Sequence, residues 1–175
     1  MSTMISGNPV VDVCNQYRTA RLNVRYLESK LRRLRRKNFW LEFLIALSAS
    51  SVAAKAWYFQ GDIGGCVWKI LTGVTALLAI AKPLLKLSEK IRDSEDRLAG
   101  YKTLDFFLER ILITIREKKA YDKEVQKQFS VALDMKQKLI EKDKGPEPNE
   151  KLLNECYEKV LKELPEDSFY IPKER

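Results

Sequence analysis

FWLEFLIALSASSVAAKAWYF, Phe39 to Phe59, and IGGCVWKILTGVTALLAIAKPLL, Ile63 to Leu85, are separated only by Gln60-Gly61-Asp62, and the reading of the whole chain turns on them. At ~1.5 Å per helical residue, each run reaches about the 30 Å of a hydrocarbon core. Neither is free of charge. Glu42, Lys55, Lys69 and Lys82 interrupt them, and the charge-free stretches Phe43–Ala54 and Ile70–Ala81 would also fit a buried helix of a soluble bundle. Three features favour lipid. Trp40, Trp57, Tyr58 and Trp68 lie toward the ends of the runs, as in an aromatic belt. Ala46, Ser48, Ala49, Ser50 and Ser51, then Gly64, Gly65 and Gly73, supply small residues that let membrane helices pack closely. Basic residues crowd before the first run and after the second, at Lys86, Lys90 and Arg92, while the turn carries only Asp62. The positive-inside rule then puts both termini in the cytoplasm.

Charge is segregated along the chain. Residues 1–38 carry nine basic and two acidic side chains, 9 − 2 = +7; residues 39–85 give 3 − 2 = +1; residues 86–175 give 20 − 20 = 0. The net +8 therefore describes one local patch. Its centre is KLRRLRRK, with Lys30, Arg32, Arg33, Arg35, Arg36 and Lys37 as a lipid-surface basic patch. Each basic residue near an anionic leaflet contributes about 1 kcal/mol of attraction. The same residues would contact phosphates of RNA or a nucleotide messenger, but the adjacent stacking aromatics Phe39 and Trp40 belong to the apolar run, and nucleic acid is not the expected partner.

Asn8-Pro9 predicts a helix start. Behind it, Tyr17, Ala20, Val24, Leu27, Leu31 and Leu34 recur at spacings of 3 and 4, with Arg18, Arg21, Arg25 and Lys30 off the seam. Such a seam packs on its own domain or on another protomer, and its strict spacing favours the second. After Lys86, Leu104, Leu108, Ile111, Leu112 and Ile115 form a helical stripe within FFLERILITI and its flank, read as core or oligomer contact. Tyr121, Val125, Phe129, Ala132 and Leu139 continue it after a gap at Arg116–Ala120, a candidate break. Gly145 to Asn149, GPEPN, ends that segment. An amphipathic helix over 150–164 follows, and the proline in FYIPKER favours an extended tail. The expected fold class is all-α: a transmembrane hairpin at 39–85 between an N-terminal amphipathic basic helix (1–38) and a long charged cytoplasmic helix (86–144), with linker, short helix and tail at 145–175. An oligomer is expected.

No catalytic constellation is present, no enzyme activity is expected, and no cofactor or metal is called for. The chain has no histidine, which excludes Ser-His and Cys-His nucleophiles. Cys14, Cys66 and Cys156 stand alone without metal or redox spacing and read as buried thiols. The opening MSTMISGNPVVDV lacks a basic segment followed by an apolar one, so a cleaved signal peptide is not expected. The candidate functional residues are the intramembrane charges. Glu42 and Lys82 lie at similar depth near the cytoplasmic side and form a candidate ion pair. Lys55 and Lys69 lie toward the outer side. Either the lysines snorkel to headgroups, or Lys69, with Lys55, lines a water-filled space that favours anions.

YRTARLNVRYLESKLRRLRRKNFWLEF leading into the first run, WYFQGDIGGCVWKIL at the turn and LSEKIRDSEDRLAGYKTL beyond the second together resemble the SLATT family, two-transmembrane effector domains of bacterial nucleotide-signalling and anti-phage conflict systems. The resemblance spans about Tyr17 to Leu139 and rests on layout. It implies a bacterial inner-membrane effector that oligomerises and permeabilises the membrane when a partner or sensor encoded nearby triggers it. The competing readings are a passive anchor that recruits a partner through its cytoplasmic helices, and a soluble helical bundle with a basic nucleic-acid-binding helix.

Overall fold

The computed structural model describes residues 8–58, 73, 77, 86–142, 148–165 and 168–171, with only the backbone at 48–58. Four helices have both ends described: α1 (Pro9–Tyr58), α2 (Leu87–Lys118), α3 (Lys123–Lys142) and α4 (Glu150–Glu163). Among the described residues there is no strand. Gly73 and Leu77, in the second apolar run, are also helical.

Several helix ends have local reasons. Asn8 Oδ1 accepts the Val10 N–H at 3.0 Å, and Pro9 fills the first turn, where its missing N–H costs nothing. No Gly or Pro occurs between Pro9 and Gly61, so α1 runs through the Asn38–Phe39 junction without a break and extends over 50 residues. α2 stops where Lys119 takes a left-handed φ of 50°, within the Arg116–Ala120 gap of the stripe. Asp122 then caps α3, accepting the Val125 N–H at 2.8 Å. That bond, and the Lys118 ammonium 2.9 Å away, lower the Asp122 pKa. Asn149 caps α4 through the Leu152 N–H at 3.0 Å.

The chain divides into two compact units, one of Met1–Ser29 with Glu95–Arg175 and one of Lys30–Ser94. The first owns the core. Val13, Tyr17, Ala20, Val24 and Leu27 of α1 are buried in one cluster with Leu104, Leu108, Ile111 and Ile115 of α2 and Val125 and Ala132 of α3. Gly100 marks a close approach of α2 and α3, since a Cβ there would collide with a Leu139 methyl. The expectation that the Tyr17–Leu27 seam serves another protomer is therefore corrected. Helical spacing fixes which face is apolar, and α2 of the same chain covers that face.

Among the described residues, no helix is long and apolar enough to cross a membrane. The described side chains of the first run end at Leu47, so Phe39–Leu47 rises only about 14 Å. The Lys55 side chain, all of Lys69 and Lys82, and the turn 60–62 lie outside the described residues. So does Cys66.

Candidate functional site

Within the unit Lys30–Ser94, the basic patch and the start of the first apolar run occupy one helix. At 100° per residue, Arg32, Arg36, Phe39, Trp40, Phe43 and Leu47 fall on a single face. All six are exposed, Phe39 by 60%, Trp40 by 54% and Leu47 by 54%. Leu31, Leu34, Asn38, Leu41 and Ile45 fall on the opposite side and are buried or half-buried. The segment thus turns its largest apolar side chains outward. Three of the exposed rings touch one another: Phe39 stacks on Phe43 at 6.2 Å between centroids, and Trp40 meets Phe39 and Phe43 edge-on at 6.0 and 5.7 Å. Water is a poor solvent for such a cluster, and an exposed patch of this kind marks an interaction site. The basic patch is in place as a band: Arg32, Arg33, Arg35, Arg36 and Lys37 are exposed and Lys30 is half-buried.

Of the four charges within the two apolar runs, Glu42 is the one whose side chain is described. It is exposed and accepts the Asn38 Nδ2–H at 3.2 Å, one turn back along α1.

A second polar cluster, in the other unit, escaped the sequence reading. Asp105 of α2 is 3% exposed and lies among core residues. Arg21 Nε stands 3.1 Å from Asp105 Oδ1 as an ion pair, and its Nη2 lies 3.8 Å from Glu109 Oε2. Neither Arg21 Nε nor Asp105 Oδ1 makes a hydrogen bond, so the ion-pair contact lacks the alignment of one. Arg21 also donates to the Tyr17 hydroxyl and lies 5.2 Å from that ring. Burial pushes the Asp105 carboxyl up to about 6; Arg21 opposes the rise, Glu109 adds to it, and Arg25 opposes it more weakly. Burial works against the Arg21 charge too, but the Tyr17 hydroxyl and the two carboxylates outweigh it and raise its pKa. The signals in the sequence are two one-turn pairs, Tyr17/Arg21 and Asp105/Glu109, and a lone Asp between Leu104 and Phe106. The cluster ties α1 to α2.

Two more cations of α1 fasten the C-terminal part of the same unit. Arg18 Nε donates to the Leu164 carbonyl at 3.2 Å and lies 4.9 Å from the Phe169 ring. Arg25 reaches both Glu163 oxygens, at 2.8 and 3.0 Å. Cys14 is buried, which pushes its thiol up to about 11 despite Arg18 nearby, so it is not a nucleophile at neutral pH. The open depression lined by Glu150, Lys151, Asn154, Glu155 and Glu158 on α4 presents a mixed, solvated surface. Among the described residues, no cluster has the ligands to hold a metal ion.

No protein-family model, no curated protein and no solved structure matches this chain.

Proposed function

We propose that this chain is a membrane-inserted effector of a bacterial inner membrane. In this reading the hairpin 39–85 crosses the bilayer, both termini face the cytoplasm, and oligomerisation opens a path for ions when a partner protein triggers it. One observation carries the membrane part: on an unbroken helix, an exposed basic band gives way to exposed Phe39, Trp40, Phe43, Leu44 and Leu47. Lipid is the solvent that rewards this order, with cations at the headgroups, aromatic rings at the interface and aliphatic side chains below. The effector part rests on the resemblance to the SLATT layout and on Lys55 and Lys69 as charges inside the runs. With the Tyr17–Leu27 seam occupied, self-association falls to other surfaces; Phe106 and Ile113, seven residues apart on one face of α2, are 68% and 48% exposed.

Induced expression in a bacterium tests the reading. The chain is expected in the membrane fraction, with loss of membrane potential when its trigger is present. Lys69→Leu is expected to change the ion preference or the toxicity. Recovery from the soluble fraction without detergent would overturn the membrane reading. Burial of the α1 seam favours a second reading, the passive anchor. It shares the membrane location, predicts no conductance in liposomes, and tolerates Lys69→Leu.

A further inference from the structure

The face that α1 turns outward has a finer order than a basic patch followed by an apolar run. Arg32 and Arg36 are one turn apart, about 6 Å along the axis, and lie directly above Phe39, Trp40 and Phe43 on the same stripe. Among the described residues, neither arginine side chain has a hydrogen-bond or ion-pair partner, whereas Arg33 and Arg35, at the two edges of the stripe, have interactions of their own. Guanidinium groups bind phosphates through paired N–H donors, and two of them one turn apart can bracket one phosphate. The ring cluster begins about 5 Å further along the helix and ends at Leu47, with no polar side chain on that stripe between Phe39 and Leu47.

We propose that Arg32 and Arg36 form a clamp for the phosphate of an anionic phospholipid whose acyl chains lie along Phe39, Trp40, Phe43 and Leu47. This deepens the membrane reading above and rests on it. The whole stripe is used: phosphate against the arginine pair, glycerol and carbonyls against the rings, hydrocarbon against Leu47. RNA would use the arginines and leave the aliphatic end of the stripe bare.

The test uses the full chain with Trp40 as its sole tryptophan (Trp57→Phe, Trp68→Phe), reconstituted in vesicles of phosphatidylcholine and phosphatidylglycerol. Either lipid carries bromine on its acyl chains to quench Trp40 fluorescence. The clamp predicts stronger quenching by brominated phosphatidylglycerol than by an equal fraction of brominated phosphatidylcholine. It also predicts that Arg32→Gln with Arg36→Gln lowers that preference by more than the about 30-fold that the loss of any two interfacial charges would give. Arg33→Gln with Arg35→Gln removes the same charge from the edges of the stripe and is expected to lower it by no more than that general charge effect. Equal quenching by the two lipids, or equal loss in the two double variants, overturns the clamp and leaves the membrane reading standing. Absence of quenching by either lipid, with the chain soluble without detergent, overturns both. Salt-sensitive binding of a single-stranded RNA that depends on Arg32 and Arg36, without any lipid preference, overturns the clamp in favour of a nucleic-acid surface.

Discussion

One helix, α1, handles its apolar residues in two opposite ways. Over Val10–Leu27 they are covered: Val13 is fully buried, and Ala20, Val24 and Leu27 are nearly so. Over Phe39–Leu47 the largest ones are bare, and the half-buried face carries Leu41 and Ile45 instead. Composition does not separate these segments, since both mix aliphatic side chains with rings. What differs is the medium each was selected against. The first half gains by leaving water for protein, at roughly 25 cal/mol per Å² of apolar area. On the second half, Phe39, Trp40, Phe43, Leu44 and Leu47 stay exposed, and their gain comes from lipid in the reading proposed here.

The comparison is tested first where the expected effect is largest. Ile111→Ala, in the core beneath the first half of α1, is expected to cost about 2–5 kcal/mol, read as faster amide exchange throughout α2. Phe43→Ser, an equally drastic loss of apolar area on the exposed half, is expected to leave that exchange unchanged while weakening membrane association. If both variants destabilised α2 alike, the outward face would be a protein core and the contrast would be lost.

A pH measurement sharpens the covered half. The Asp105 pKa stands at about 6 against an ordinary 3.8, so the folded chain takes up a proton there that the unfolded chain does not. Stability from this group therefore rises as pH falls from above 7 through 6 toward 4, and is lost again as pH rises through 6. Asp105→Asn mimics the protonated form. It is expected to be more stable than the native chain at pH 8, by up to about 3 kcal/mol, with the difference vanishing near pH 4. Stability of the variant and the native chain, compared by denaturant titration at pH 4, 6 and 8, checks this; a variant less stable at pH 8 would mean that the Arg21 pair outweighs burial.

The smallest effect concerns a cap. Asn149→Ala is expected to cost about 1 kcal/mol, confined to α4, and is read as earlier fraying of that helix by amide exchange. Arg18 and Arg25, which hold the other end of α4, limit the damage.

Local features of the fold were legible because they follow from nearest neighbours. Asn8-Pro9 opens α1, the stripe from Leu104 to Ile115 is core, and GPEPN precedes a short amphipathic helix that begins at Glu150. The unbroken passage through Asn38–Phe39 was not read, because the shift from charged to apolar residues there suggested a boundary, although Gly and Pro are absent from 10 to 60. The partner of the α1 seam was not legible. Spacings of 3 and 4 declare a face, and they are the same whether α2 or a second chain covers it. Asp105 and Arg21 are brought together from positions 84 residues apart, and no local pattern announces such a meeting. For the candidate site, the band Lys30–Lys37 was plain from charge. The alignment of Arg32 and Arg36 with the middle of the ring stripe, and of Arg33 and Arg35 with its edges, needed the phase of one continuous helix.

The split composition of the core-bearing unit, residues 1–29 with 95–175, imposes an order on biosynthesis. Translation at about 5–20 residues per second places Tyr101 roughly 4–15 s after Leu27. During that interval the apolar runs emerge while Val13, Tyr17 and Val24 still lack the α2 surface that will cover them. The nascent chain therefore exposes both apolar runs before it can close its own interior, and docking of the first half of α1 is a late event. A chain stalled anywhere before Leu104 would expose a bare helical seam at its leading end.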